Sequence, residues 1–342
     1  MDFPLLTNLI LGPILLAFAI AFVTTPIVIF TYRRLGWVEL PNRHAKDTHT
    51  YPVPRGGGIP VYVSLLVSGL LLLPFDRQLT GILAGATLMM VMGVLDDRFN
   101  INPYLRLGGC FLAAVLVIRA GIGISFITNP LGGIIVLSAV FATALAIFWM
   151  MFLANTVNWA KGFDGQLPGI VAVAAITIAL FSLRYSADIT QWPIAILASI
   201  TAGAYLGFLP FNFYPQKIMP GYGGGTLAGF MLAVLTILST SKILTAMVVL
   251  GIPIADAGWS MLRRVLTGHS PVWGDRGHLH HKILDEWRWG KRRAALFYWL
   301  VTALLGVLAL NLNSQQKFYT IILLAVIIGG LLLWFNYFTK ST

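Results

Sequence analysis

The feature that most constrains this chain is the recurrence of long apolar stretches. The hydrocarbon core of a bilayer is about 30 Å thick, so a helix that crosses it needs about 20 mostly apolar residues. The 342-residue chain is 58% hydrophobic and only 10% charged, which is too apolar for a water-soluble domain. We identify eleven candidate spans: 5–28, 57–74, 79–95, 105–121, 133–154, 167–183, 192–211, 224–240, 243–261, 293–312 and 318–338. The pattern predicts an all-α polytopic membrane protein in which residues 1–342 form a single membrane-embedded domain.

The distribution of basic residues predicts the orientation of these spans. With the N-terminus outside, most of the 23 lysines and arginines fall in cytoplasmic loops, where the net charge of +11 faces anionic lipid headgroups. The first span lacks a basic leader and a small-residue cleavage site, so we interpret it as a retained helix and not as a signal peptide. No nucleic-acid recognition module accompanies the positive charge, so we expect no nucleic-acid partner.

The same orientation places the polar loops on one side of the membrane. These cytoplasmic loops are 32–56, 96–104, 155–166, 212–223 and 262–292. The outer loops are short or apolar, and the segment 121–133 is typical of a small β-hairpin or a re-entrant turn. We therefore expect the functional residues to meet at the cytoplasmic surface.

Asp96 and Asp97, which we call the acid pair, close the third candidate span. In the predicted orientation they lie at a helix carboxyl end, where the helix dipole disfavours anions. A divalent cation or a basic neighbour would stabilise two adjacent carboxylates there. The alternative is a solvated helix end with Arg98 as a local partner.

The last cytoplasmic loop holds three histidines close together: His278, His280 and His281. Their spacing does not place three imidazoles on one helical face, and no cysteine assists, which disfavours a metal cluster. Histidines can instead donate hydrogen bonds to phosphate oxygens, with Arg263, Arg264 and Arg276 adding positive charge. The alternative is a solvated histidine-rich turn.

Two further polar features lie beside apolar spans. The glycine-rich run PGYGGGT at 220–226 begins a helix, and glycine amides there are typical of an anion-binding nest, although glycines also serve as plain helix starts. Asp256 lies inside an apolar run, which is unfavourable for a carboxylate unless it is paired. Asp256 is therefore either functional or part of a structural ion pair with Arg263 or Arg264.

Several ordered motifs together resemble one membrane-enzyme family. The segments PNRHAKDTHTYPVPRGGG, LDDRFNINPYLRL and SPVWGDRGHLHHKIL resemble loops of the polyprenyl-phosphate N-acetylhexosamine-1-phosphate transferases, which include the GlcNAc-1-phosphate transferases and the related MraY. Two details differ, because three extra residues precede His49 and Arg106 stands where the family has lysine. The resemblance covers nearly the whole chain.

The resemblance implies a reaction and a set of site residues. The reaction is transfer of a sugar-1-phosphate from a UDP-sugar to undecaprenyl or another polyprenyl phosphate, with release of UMP and a requirement for Mg²⁺. This reaction is the first membrane step of cell-envelope glycan synthesis and takes place at the bacterial inner membrane. A homodimer is also compatible with the resemblance. The implied catalytic residues are Asp96, Asp97 and Asp164, of which the acid pair would hold the metal. The implied substrate-binding residues are Arg55, Asn158, Lys161, Asn212, Arg276, His278, His280 and His281.

Four further positions depart from the family pattern. Lys161 stands where the first aspartate of the family's NxxNxxDGxDGL loop belongs, and Tyr222 replaces a metal-binding aspartate. Gly225 replaces a serine, and Met219 stands where the family has a phenylalanine that stacks on the nucleobase. A phenol is a poor ligand for a hard cation at neutral pH. The alternative function is therefore a degenerate homologue that binds polyprenyl phosphate or a partner enzyme without turnover.

Overall fold

The structure is a computed structural model that describes residues 3–41, 49–129, 132–184, 187–239, 243–270 and 277–338. About three quarters of these residues are helical. The α-helices are α1 Phe3–Leu6, α2 Gly12–Arg34, α3 Gly58–Leu72, α4 Arg77–Phe99, α5 Pro103–Arg119, α6 Ala139–Trp159, α7 Gln166–Leu183, α8 Trp192–Asn212, α9 Gly221–Leu238, α10 Ile243–Val249, α11 Gly251–Leu266, α12 Leu279–Asp285, α13 Lys291–Asn311 and α14 Ser314–Phe338. A π-helix, Thr7–Leu11, joins α1 to α2, and a 3₁₀ turn, Ile189–Gln191, precedes α8.

Two short antiparallel strand pairs lie between the helices. The first pairs β1, Val38–Glu39, with β2, Val53–Pro54. The second pairs β3, Phe126–Thr128, with β4, Ile134–Val136, which is the hairpin alternative of the two predicted for this outer loop. The first pair was not predicted, and it places the residue after β2 beside the carboxyl end of α4.

The predicted fold class is confirmed, but the count of eleven spans is not. Within the described residues, eight helices are long and apolar enough to cross a membrane, or nine if the pair α10 and α11, bent by 83°, counts as one span. Each predicted span overlaps a helix or this bent pair, although the span 133–154 includes β4 and α6 starts only at Ala139. The helix α3 has 15 residues and would be only about 23 Å long, and α5 has 17, so both are short for a bilayer of about 30 Å.

The helix α9 lies at the centre of the bundle, packed against α3, α4, α6, α7 and α8. All but one of its residues are buried, which is typical of a helix that is apolar on every side. Gly93 of α4 meets Gly223 of α9, and a Cβ on Gly93 would overlap the Cα of Gly223. This close crossing brings the carboxyl end of α4, with the acid pair, against the amino end of α9.

Candidate functional site

The acid pair lies at the junction of α4 and α9. Asp97 Oδ1 accepts a hydrogen bond of 2.7 Å from the backbone N–H of Tyr222, at the start of α9. The positive dipole end of α9 thus faces a carboxylate that the carboxyl end of α4 disfavours. The glycine-rich start of α9, which the sequence indicated as an anion-binding nest, binds a carboxylate of the chain itself.

Arg55 reaches this junction from the end of β2. Its Nη1 lies 2.9 Å from Glu39 Oε2 in β1, and its Nε lies 3.4 Å from Asp97 Oδ1. Burial acts to lower the pKa of Arg55, but the charges of Asp97 and Glu39 outweigh it and raise that pKa. The guanidinium therefore stays charged, and the strand pair fixes it between two carboxylates.

Asp96 is paired with Arg106 of α5. Arg106 Nε lies 2.7 Å from Asp96 Oδ1, but its N–H is donated to the carbonyl of Ile101 at 2.9 Å. Asp96 Oδ1 is buried and therefore receives charge compensation without a hydrogen-bond donor. The solvated helix end with Arg98 as partner was wrong, because Asp96 is only 2% exposed and Arg98 lies over aromatic rings instead.

Lys161 and Tyr222, the two positions where the family has aspartates, contact each other. Lys161 Nζ lies 5.8 Å from the centroid of the Tyr222 ring and donates a hydrogen bond of 2.6 Å to the carbonyl of Gly221. The guanidinium carbon of Arg106 lies 5.2 Å from the same ring. Cations within about 6 Å of an aromatic ring face are attracted by its quadrupole. We call Arg55, Arg106 and Lys161 the cation cluster.

Gly225, a third departure, adjoins the same region. A Cβ at this position would overlap Oδ1 of Asn158, and that oxygen is buried without a hydrogen-bond partner. The serine of the family pattern therefore does not fit beside Asn158 in its present position. Arg106, Lys161, Tyr222 and Gly225 are thus neighbours in one region, and their contacts with one another and with Asn158 are mutually compatible.

The residues present do not fit a Mg²⁺ ion. The oxygen without a donor on Asp96 favours a nearby cation, but three fixed cations already compensate the acid pair, and Tyr222 offers no carboxylate. Mg²⁺ requires near-octahedral oxygen ligands. Among the residues that the structure describes, no three histidines, cysteines, aspartates or glutamates are grouped so as to hold a metal, so Asp164 does not join the acid pair in such a group.

Asp164 and Asn212 are held in an internal network. The Asp164 carboxylate is buried, accepts a hydrogen bond of 3.1 Å from the N–H of Gln216 and lies 3.1 Å from Lys291 Nζ. Asn212 accepts from the N–H of Gly165 at 3.0 Å and donates to Gln216 and to the carbonyl of Ile218. This network ties the loop after α6 to the loop after α8.

The three histidines, with Asp256 and Arg264, form a second group, which we call the histidine cluster. His278 Nδ1 lies 3.0 Å from Asp256 Oδ2, and Asp256 Oδ1 accepts from the N–H of Leu279 at 2.8 Å. Arg264 Nη2 lies 3.3 Å from His278 Nε2, so His278 contacts both Asp256 and Arg264. The solvated histidine-rich turn was wrong, because all three imidazoles are buried.

The loop after α6 connects the two groups. A Cβ on Gly162 would overlap the ring of His280, so only glycine allows this approach. The preceding residue is Lys161 of the cation cluster. A cavity of about 670 Å³ also opens beside the acid pair, with Trp37, Arg55, Asp97 and Arg98 in its wall. A ligand in this cavity can therefore reach Asp97 and Arg55.

Comparison with known proteins gives a match that includes these motifs. The sequence profile described as glycosyl transferase family 4 matches residues 79–240, which include the acid pair, Lys161 and Tyr222. This part of the chain, just under half of its length, is similar to glycosyl transferase family 4.

The relatives extend the match to most of the chain. The decaprenyl-phosphate N-acetylglucosaminephosphotransferase of Mycolicibacterium smegmatis is 28% identical over 87% of this chain and 82% of its own length. A probable undecaprenyl-phosphate N-acetylglucosaminyl 1-phosphate transferase of Bacillus subtilis is 25% identical over 92% of this chain and 89% of its own length. The undecaprenyl-phosphate alpha-N-acetylglucosaminyl 1-phosphate transferase of Haemophilus influenzae is 28% identical, over 90% and 87%.

The structure adds site residues that the sequence did not indicate. Glu39 orients Arg55, and Lys291 lies beside Asp164. Glu39 lies in a two-residue strand, and Lys291 begins a helix in a run of basic residues, so neither had a distinctive sequence signal. Arg276, predicted to bind substrate, lies outside the described residues.

Proposed function

We propose that this protein transfers an N-acetylhexosamine-1-phosphate from a UDP-sugar to a polyprenyl phosphate. An oxygen of the lipid phosphate attacks the phosphorus bonded to the sugar, and the bridging P–O bond breaks. UMP leaves with the bonding electrons, and the products are a lipid diphosphate sugar and UMP. Since the nucleophile is an anionic phosphate oxygen, no side chain has to remove a proton from it.

The observation that carries this proposal is the convergence of four chain segments on one point. The end of β2 supplies Arg55, the end of α4 supplies Asp97, the loop after α6 supplies Lys161, and the start of α9 supplies backbone groups. Phosphoryl transfer depends on positioned charge around the transferred group more than on covalent help from the protein. Fixed guanidinium and ammonium groups supply such charge to a diphosphate.

The membrane arrangement supports the same proposal. The chain is a multi-pass membrane protein, and a polyprenyl phosphate presents its phosphate at the membrane surface. We place the site at the cytoplasmic face of a bacterial inner membrane, with the N-terminus outside, because basic residues accumulate in these loops. A homodimer stays a prediction that crosslinking in native membranes would test.

A second candidate is a binding protein that holds polyprenyl phosphate or a partner enzyme without turnover. The contact between Lys161 and Tyr222 supports it, because both residues replace carboxylates that the family pattern has. On this view the site keeps its shape and part of its ligand affinity, and has lost the chemical step.

A UMP-release assay separates the two candidates. The purified full chain would be given undecaprenyl phosphate and a panel of UDP-sugars, with and without Mg²⁺. We expect UMP release from at least one N-acetylhexosamine donor, and its loss in Asp97→Asn. The matched control is Asp76→Asn, at the opposite end of α4, where Asp76 caps the helix by accepting from the N–H of Leu79 and asparagine caps equally well. No release from any donor, with polyprenyl phosphate still bound, would favour the second candidate.

A further inference from the structure

The charge around the acid pair is more positive than in the family pattern. Relative to the family pattern, lysine for aspartate at position 161 raises the local charge by two units, and tyrosine for aspartate at position 222 raises it by one more. Mg²⁺ would bring two positive charges. The substitutions therefore add at least as much positive charge as the ion would.

The added charge lies where such an ion would act. The Lys161 ammonium interacts electrostatically with both Asp96 and Asp97. Its Nζ is fixed by the carbonyl of Gly221, one residue before Tyr222, and lies over the Tyr222 ring. A protonated amine held by a backbone carbonyl and an aromatic ring is a positioned cation that cannot dissociate.

The surrounding residues have adapted to this arrangement. Tyr222 is 5% exposed, and both the Arg106 guanidinium and the Lys161 ammonium lie within 6 Å of its ring centroid. Gly225 leaves room for Asn158, as a larger residue would not. If the site had only lost its metal ligands, the substituted residues would not be expected to fit one another in this way.

We propose that the cation cluster replaces the divalent ion, so that this protein binds the diphosphate of a nucleoside diphosphate without any metal. Arg55, Arg106 and Lys161 supply the positive charge, and Asp96 and Asp97 hold these side chains in position. The inference rests on the proposed function for the identity of the ligand, but it concerns binding and not turnover.

The test measures UDP binding and thermal stability of the purified full chain in EDTA and in MgCl₂. For the parent protein we expect UDP affinity to differ by less than about twofold between the two conditions, with no Mg²⁺-dependent rise in Tm. For Lys161→Asp combined with Tyr222→Asp, we expect UDP affinity in EDTA to fall about tenfold or more, and Mg²⁺ to raise both affinity and Tm. The control is Lys217→Asp, an exposed lysine in the loop before α9, which should behave like the parent.

Three results overturn the inference or separate it from the proposed function. Loss of UDP binding to the parent in EDTA, with recovery in MgCl₂, overturns it. Absence of UDP binding to the parent in both conditions also overturns it. UDP binding in EDTA without UMP release in the transfer assay supports the inference and contradicts the proposed transfer. The measurements on the parent decide the question even if the double variant fails to fold.

Discussion

The acid pair and the histidine cluster both adjoin the loop after α6, at Lys161 and Gly162. They differ in how closely the residues around them match the motifs of the polyprenyl-phosphate transferases. The histidine cluster keeps the run HLHH and pairs His278 with Asp256. Four neighbouring positions around the acid pair depart from the family pattern: Arg106, Lys161, Tyr222 and Gly225. One side of the site is maintained while the other is altered.

This difference indicates the kind of change that the site has undergone. Random loss of function would be expected to alter both groups and to leave buried charges unpaired, whereas each carboxylate of the acid pair lies beside a guanidinium. Here Tyr222 contacts both Lys161 and Arg106, and Gly225 accommodates Asn158. We therefore interpret the region as remodelled for different electrostatics, with the histidine cluster retained for a shared function.

The largest expected effect concerns the histidine cluster. Asp256→Ala removes the acceptor of both His278 and the N–H of Leu279 in a buried setting. Removing one partner of a buried pair costs about 3–5 kcal/mol, so we expect a lower Tm and loss of UDP binding. The control Glu286→Gln removes only a weak ion pair of 3.9 Å with Lys282 and should change stability by less than about 0.5 kcal/mol. Equal stability of the two variants would show that the histidine cluster does not stabilise the fold.

The next prediction tests whether the packing around the acid pair tolerates the residue of the family pattern. Gly225→Ser restores the family's serine but places a Cβ against Asn158. Overpacking of this kind costs about 1–3 kcal/mol, measured as a fall in Tm. Gly258→Ser in α11 is the matched control, since no atom lies near its Cβ, and serine is a slightly better helix former than glycine. If Gly225→Ser is as stable as the control, Asn158 moves freely and the region is not remodelled around it.

A smaller effect concerns Arg106, where the family has lysine. Arg106 uses separate nitrogens for the carbonyl of Ile101 and for Asn100 Oδ1, while lying beside Asp96. A single ammonium cannot reproduce these contacts, so Arg106→Lys should cost about 1 kcal/mol. Arg98→Lys, whose side chain lies over aromatic rings that also attract an ammonium, should cost less. Thermal unfolding of both variants checks the order, and the reverse order would contradict the role given to Arg106.

The sequence predicted the helical membrane fold better than it predicted the contacts at the candidate site. Apolar length indicates a span directly, so every predicted span overlapped a helix or the bent pair. The acid pair could be recognised, but not its partners: Arg55 is 42 residues from Asp97 and is placed by a strand pair too short to give a periodic signal. Nor does the sequence show that Lys161 and Tyr222, 61 residues apart, share one contact. Such pairings depend on tertiary packing, here on the glycine crossing of α4 and α9.

The smallest expected effect asks what the Tyr222 side chain contributes. If its ring serves as a surface for Lys161 and Arg106, Tyr222→Phe keeps that surface and should change stability and metal-free UDP affinity very little. Tyr222→Leu removes the ring, and we expect a loss of about 1 kcal/mol of stability, since cation–π contacts are worth about 0.5–2 kcal/mol depending on desolvation. The comparison of the two variants isolates the ring from the hydroxyl. A Phe variant that loses UDP binding, or whose binding becomes dependent on Mg²⁺, would show instead that the hydroxyl is itself a ligand-binding group, and the ring contacts would then be incidental.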